Sequence, residues 1–505
     1  MLASVESAAV VGVDAVPVTV EVDVSPGLPQ WTLVGLPASA VRESRERVLA
    51  ALVNSGVDLP ARRVTVNLAP ADLRKDGTGL DLPIALGLLV AGGWLPAASV
   101  ASLVAVGELG LDGTLRPVRG VLAVARAHRS RTAGWLVVPP ENHAEAALAL
   151  PDRLSAPTHL RALLDSLRRT GQPPATVPPE LPAAAAMPTP DLADVVGQAR
   201  ARRALEIAAA GGHHVLLAGP PGAGKTMLAR RLPGILPPLD DAERLEVIAV
   251  HSVAGLSTPA RLRSAEPPFR APHHATSLAG LIGGGAGPRP GELSLAHRGV
   301  LFLDELLEIP RHILDALRQP LEEGAVTIAR AATSVRFPAR VQLVAATNPC
   351  PCGRLGTEDL ACTCLPSAVA RYRSRLSGPL ADRLDLHVSV GRVPIRALST
   401  RERGEPSATV RERVLAARTV LAAHRAPADR AALAPLTADA LAALERAATS
   451  MHLSARAFTR TALVARTIAA LDGDAVVSKA AVLEALSYRP SQWGGNGAGA
   501  SPAVA

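Results

Sequence analysis

The segment Gly219-Pro220-Pro221-Gly222-Ala223-Gly224-Lys225-Thr226 constrains this chain most, because it matches in full the phosphate-binding pattern G-x-x-x-x-G-K-[ST]. The preceding run His214-Val215-Leu216-Leu217-Ala218 is short, apolar and strand-like, and Met227-Leu228-Ala229-Arg230-Arg231-Leu232 reads as the first turns of a helix. Strand, loop and helix is the order the chemistry requires. The glycines let backbone N–H groups approach phosphates, Lys225 reaches the β/γ-phosphates, and the Thr226 hydroxyl is a magnesium ligand. A bare glycine-rich turn would account for the glycines alone, not for the whole pattern with both flanks.

Two further strands fit the same site. Gly299-Val300-Leu301-Phe302-Leu303-Asp304-Glu305 is an apolar run ending in two carboxylates. Asp304 is placed to hold magnesium, directly or through water, and Glu305 to orient and deprotonate an attacking water. Val341-Gln342-Leu343-Val344-Ala345-Ala346-Thr347 ends at Asn348, an amide suited to sensing a γ-phosphate and positioning water. An amide that merely caps a loop is the plainer reading of Asn348. ATP and magnesium are therefore the expected ligands.

At 505 residues the chain exceeds one ordinary core, so several domains are expected. Aromatic residues make up only 2%, which argues against base-stacking on exposed rings; a grip on nucleic acid would be electrostatic. The formal charge of +8 favours a polyanionic partner. It comes almost wholly from arginine, with Lys75, Lys225 and Lys479 the lysines, so a general arginine bias is the alternative. No signal pattern opens the chain and no apolar run approaches membrane-spanning length, giving the expectation of a cytoplasmic protein without a membrane partner.

Residues 1 to 165 mix strand patterns (Val18–Val24, Arg63–Leu68, Leu103–Val106, Trp135–Val138) with helix patterns (Val41–Val53, Asp81–Val90), enough to bury a core of their own. This unit resembles the Lon-protease-like domain through Gly107-Glu108-Leu109-Gly110-Leu111-Asp112-Gly113-Thr114-Leu115-Arg116-Pro117-Val118. Proteases of that family use a serine and lysine pair. Here Lys75-Asp76-Gly77-Thr78-Gly79 puts Gly79 at the serine position, and no lysine follows Arg119-Gly120-Val121-Leu122, so proteolysis is not expected even with Thr78 nearby. Residues 166–190, rich in proline and alanine, read as a linker.

The stretches Ala208-Ala209-Ala210-Gly211-Gly212-His213, Arg270-Ala271-Pro272-His273-His274, Pro288-Arg289-Pro290-Gly291-Glu292 and Asn348-Pro349-Cys350-Pro351-Cys352-Gly353 resemble the magnesium-chelatase-like AAA+ ATPases of the YifB/ComM family. The resemblance implies a ring-forming ATPase, a homo-oligomer and in particular a hexamer, acting on single-stranded or branched DNA as a helicase that promotes branch migration in recombination or natural transformation. By position it implies that Arg383 is an arginine finger offered to a neighbouring subunit and Arg456 a second sensor from a helical lid. Arg371, Arg373, Arg375 and Arg460 compete for those roles. The alternative within the same resemblance is a chelatase subunit whose ATPase drives magnesium into a porphyrin.

The expected architecture is thus α/β: a P-loop AAA+ core over residues 191–394, a helical lid over 395–489 and a disordered tail over 490–505, preceded by the Lon-protease-like α+β domain over 1–165. Two segments are candidate DNA contacts: the glycine- and proline-rich residues 267–292 with Arg270, His273, His274 and Arg289, and a hairpin over Val326–Val335 with Arg330 near its turn. Packing between subunits is the alternative for both. Cys350, Cys352, Cys362 and Cys364 lie in one short segment, compatible with a tetrahedral zinc site. Their C-x-C spacing is tighter than the commoner C-x-x-C, and free thiols are the alternative.

Overall fold

Two β-sheets organise the chain. The computed structural model describes residues 1–58, 62–131, 134–177, 179, 190–285, 287–330, 333–356, 361–393, 403–423 and 435–489. The expected tail over 490–505, residues 178 and 180–189 of the proline-rich stretch and the side chain of Arg330 lie outside the described residues.

The first sheet has seven strands and begins with a hairpin, Leu2–Val11 against Asp14–Ser25. Sequence pattern locates the second strand but not the first, whose Ala and Ser residues blunt the alternation. Arg63–Ala69 pairs antiparallel with Asp14–Ser25, while Leu103–Ala105, Trp135–Val137 and Leu154–Ser155 continue parallel from the far side of the hairpin. Helix Asp81–Ala91 is buried along its whole length against this sheet, which explains its lack of a polar face. The expected helix over Val41–Val53 is two, Ser39–Arg42 and Ser44–Asn54, broken at Glu43. Helix Leu160–Thr170 closes the unit and ends at Gly171 in the left-handed region, so the linker does not begin at residue 166.

This unit does not complete its core alone. Val121, Leu122 and Val124 share a cluster with Ile248, Ala249 and Leu262 from the second unit. Helix Asp241–Ala254, opened by an Asp240/Glu243 capping box, carries that surface. At the seam the buried Glu145 accepts from the Leu122 N–H at 2.8 Å and from the Ser252 hydroxyl, leaving no bare carboxylate between the apolar faces.

The second sheet is parallel throughout, in the order Phe269–Arg270, Val300–Leu303, Gln342–Thr347, Val215–Ala218, Leu386–Ser389. Its central strands are continuous apolar runs because both faces are covered. One face packs on helix Ala199–Gly211 and the C-terminal helices; the other packs on Leu306–Leu317 and Tyr372–Leu384. Helices Ser407–Ala423, Ala438–Ser450, Ala455–Leu471 and Lys479–Ser487 follow, within the span 395–489 expected to be helical. Among the described residues no helix is long and apolar enough to cross a membrane. The second sheet with its covering helices is the P-loop AAA+ core, and every nucleotide-site candidate strand ends at one edge of it.

Candidate nucleotide site

The P-loop joins the end of Val215–Ala218 to helix Lys225–Ala229, which stops after five residues rather than running on to Leu232. Gly222 and Gly224 have φ of +77° and +89°, and a Cβ at either would meet no atom within 4 Å. The loop is therefore held in a left-handed shape that glycine alone adopts without strain, with open space beside both glycines. Lys225 is nearly buried and folds back over the loop, its Nζ donating to Gly219 O at 2.6 Å and Pro220 O at 3.0 Å. Burial lowers the pKa of this ammonium, and the Asp304 and Glu305 carboxylates oppose the shift.

Neighbouring strands bring the other candidates to the same place. Lys225 Nζ donates to Asn348 Oδ1 at 3.1 Å, so the amide at the end of Gln342–Thr347 already contacts the phosphate-binding lysine. The Thr226 hydroxyl donates to Asp304 Oδ2 at 2.8 Å, setting a hydroxyl and a carboxylate side by side as a hard cation needs. Those two groups fit a magnesium ion. Glu305 sits at φ +49°, a left-handed position uncommon for a non-glycine residue, with its side chain exposed beyond the strand end. Its Oε2 lies 3.0 Å from His274 Nδ1.

Sequence reading does not anticipate that His274 contact, because His274 belongs to a segment singled out for another role. Within that segment Phe269–Arg270 is an edge strand of the sheet and Arg270 is held bidentate by Glu292 at 2.6 and 2.7 Å. The guanidinium of Arg270, one of the candidate DNA contacts, is thus engaged within the chain. Arg289 remains exposed on a short hairpin, Gly283–Gly284 with Arg289–Pro290. That hairpin touches the expected second one, observed as Ala325–Arg330 with Thr333–Pro338: a Cβ on Gly283 would lie 3.1 Å from Ile328 Cδ1. Arg336 is exposed on the latter.

Arg383 and Arg456 are not at the P-loop. Arg383 is buried, donating to Pro379 O at 2.5 Å and pairing with Glu322 Oε1 at 2.7 Å. Arg456, at the start of helix Ala455–Leu471, bonds the same Glu322 oxygen. Glu322 thus gathers both arginines, and they hold its carboxyl below its ordinary pKa, Arg456 most strongly. Among the competitors, Arg460 pairs with Asp385 at 2.7 Å, Arg375 with Glu308 at 3.1 Å, and Arg373 donates to Pro349 O at 3.3 Å. Arg371 is exposed. In the N-terminal unit Thr78 donates to Glu108, while Lys75 is buried and donates to Pro70 O, so these two side chains are each engaged elsewhere and not with one another.

The four cysteines converge. Cys350 Sγ lies 3.4 Å from Cys352 Sγ and 3.6 Å from Cys362 Sγ, Cys352 and Cys362 are 3.6 Å apart, and all four sulfurs fall within 4.8 Å of one another. A tetrahedral ion with metal–sulfur bonds of ~2.3 Å has sulfur–sulfur edges of about 3.8 Å. The cluster matches that size and is far wider than a disulfide.

Comparison with known proteins agrees with this geometry. Residues 191–398 match the family described as magnesium chelatase, subunit ChlI, with residues 20–142 and 404–489 matching further ChlI models. YifB of Salmonella typhimurium is 44% identical over 496 residues, covering 97% of each chain. Competence protein ComM of Haemophilus influenzae is 44% identical over 506 residues with the same coverage. The magnesium-chelatase 67 kDa subunit of Heliobacterium mobile is 31% identical over 229 residues, 40% of this chain and 31% of its own.

Proposed function

The chain belongs to the YifB/ComM family of magnesium-chelatase-like AAA+ ATPases, and from that premise we propose that it is an ATP-hydrolysing ring motor, a homo-hexamer that moves on single-stranded or branched DNA and drives branch migration. The observation that carries the ATPase half is the convergence of Lys225, Thr226, Asp304, Glu305 and Asn348 at one strand edge. Backbone N–H groups of Gly222, Gly224, Lys225 and Thr226 and the Lys225 ammonium bind the phosphates. Thr226 and Asp304 would hold magnesium, which would supply positive charge against the phosphates.

Glu305 takes a proton from water as its oxygen attacks the γ-phosphorus, and the bond to the ADP oxygen breaks to release phosphate. Asn348 orients that water and reports the γ-phosphate through its contact with Lys225. Arg383 and Arg456 supply transition-state charge once Glu322 releases them, Arg383 to a neighbouring subunit and Arg456 within its own. Structural zinc at Cys350, Cys352, Cys362 and Cys364 is part of the same proposal.

The DNA half rests on the near full-length likeness to a competence protein, the formal charge of +8 and the exposed Arg289 and Arg336 on adjoining hairpins. Such arginines contact phosphates without reading sequence. The chelatase alternative is disfavoured because a competence protein aligns over 97% of this chain at 44% identity, whereas the magnesium-chelatase 67 kDa subunit of Heliobacterium mobile aligns over 40% of it. The test is a labelled four-way junction incubated with protein, ATP and magnesium. ATP-dependent conversion to branch-migration products, absent with Glu305→Gln, supports the reading; an intact junction with active ATPase overturns the DNA half.

A further inference from the structure

We propose that the four-cysteine loop is a metal-locked brace for the nucleotide site: bound zinc sets the position of Asn348 and of the P-loop, and so the rate of ATP hydrolysis. This rests on the zinc reading given above. The loop begins immediately after Asn348 and ends at helix Pro366–Arg373, so a metal bridging Cys350 and Cys352 to Cys362 and Cys364 ties the strand end to the helix start. Arg373 makes the same connection, donating to Pro349 O at 3.3 Å. Cys350 is buried, and its sulfur accepts the Leu355 N–H at 3.4 Å, a contact that fixes where the sulfur sits in the cluster.

The inner turn of the loop presses on the P-loop. Gly353, at φ +75°, approaches so closely that a Cβ there would lie 2.5 Å from Pro221 Cδ and 3.9 Å from Asn348 Cγ. Backbone of the cysteine loop therefore forms the wall behind both the phosphate-binding turn and the amide that contacts Lys225. Four soft thiolates in a tetrahedral cluster select zinc over magnesium or calcium, so this ion is distinct from the one at Thr226 and Asp304. Zinc has no redox chemistry, and its contribution here is geometric. Misplacing a positioned group by about 1 Å costs up to ~100-fold in rate, which makes this wall a sensitive point.

The test uses the purified full chain. Metal analysis is expected to give about one zinc per chain, and protein grown with cobalt should show thiolate-to-cobalt charge-transfer absorption. Metal-free protein with four reactive thiols overturns the zinc reading itself. The brace is tested separately with a glycine pair. Gly353→Ala places a methyl against Pro221, whereas Gly356→Ala has nearly the same backbone strain, at φ +79°, but faces open space. Gly353→Ala is expected to lower kcat about tenfold or more while KM for ATP moves less than ~threefold; Gly356→Ala should hold kcat within about twofold. Zinc-loaded Gly353→Ala with wild-type kcat, or equal losses in both variants, overturns the brace and leaves the zinc reading standing.

Discussion

Asp385 is where helix Ala455–Leu471, the P-loop strand and the last strand of the core sheet meet, and replacing it should loosen all three. The residue is 3% exposed. One carboxylate oxygen accepts from Arg460 at 2.7 Å, on that helix; the other accepts the His214 N–H at 3.1 Å, at the foot of the P-loop strand, with His213 Nδ1 at 3.6 Å. Burial works against ionisation here, yet His213 and Arg460 hold the carboxyl well below the usual carboxylate range. Its contribution is present above the unfolded pKa near 4 and is lost only as pH falls through the lower folded value, so at neutral pH it is fully expressed.

Asp385→Ala leaves the His214 N–H without an acceptor, at about 1–3 kcal/mol, and strips the partner from a guanidinium whose side chain is only 26% exposed. Breaking a buried pair from one side costs about 3–5 kcal/mol, and partial rehydration of Arg460 places this case at the lower end, roughly 3 kcal/mol. At about 2–4 °C per kcal/mol, the thermal transition of the ATPase unit should fall by roughly 6–12 °C. Asp385→Asn keeps an acceptor and should lose about half as much. Asp472→Ala is the control, because Asp472 is 47% exposed in its 2.8 Å pair with Arg203 and should shift the transition by less than about 3 °C. Differential scanning calorimetry of the three variants decides the matter: Asp385→Ala melting with the Asp472→Ala control would show that the Asp385 contacts do not hold these elements together.

The other expected outcomes are more direct. Lys225→Ala should abolish nucleotide binding in a fluorescent-ATP titration, and retained affinity would remove Lys225 from the site. Glu305→Gln should bind ATP yet fail to release phosphate, trapping ATP on the chain. Arg383→Ala should bind ATP within about threefold of wild type while hydrolysis falls by ~1000-fold or more, as for a finger supplied in trans; a normal rate moves the finger role to exposed Arg371. Burial pushes His214, His297 and His387 down to about 4, so the unfolded chain binds more protons between that value and the ordinary one near 6.5. The urea midpoint should therefore fall as pH is lowered from about 7 to about 5, and a flat profile would show these imidazoles accessible to solvent.

Local pattern was enough to read what local chemistry specifies. A glycine-rich loop must carry its glycines in sequence, a buried parallel strand must be an apolar run, and both are written contiguously at Gly219–Thr226 and Val300–Leu303. The pairs that depend on tertiary approach were not legible: His274 with Glu305, Arg270 with Glu292, and Glu322 with Arg383 and Arg456 join residues 22 to 134 positions apart. Arg270 reads as a free cation in a loop, and only the fold supplies the carboxylate that claims it. For the same reason periodicity could show helix Asp81–Ala91 but not that Ile248 and Ala249 would complete the neighbouring core. The cysteine cluster lies between these cases, since its spacing suggests a metal and only its packing on Pro221 connects it to ATP.

In the proposed motor, hydrolysis at this site is coupled to DNA. This coupling is tested most directly by the steady-state ATPase rate of the wild-type chain with no DNA, with single-stranded DNA and with a branched junction, Glu305→Gln serving as the blank. The account requires a rate that rises several-fold with DNA, most with the junction, and vanishes in Glu305→Gln. A Glu305-dependent rate that is the same under all three conditions would contradict it.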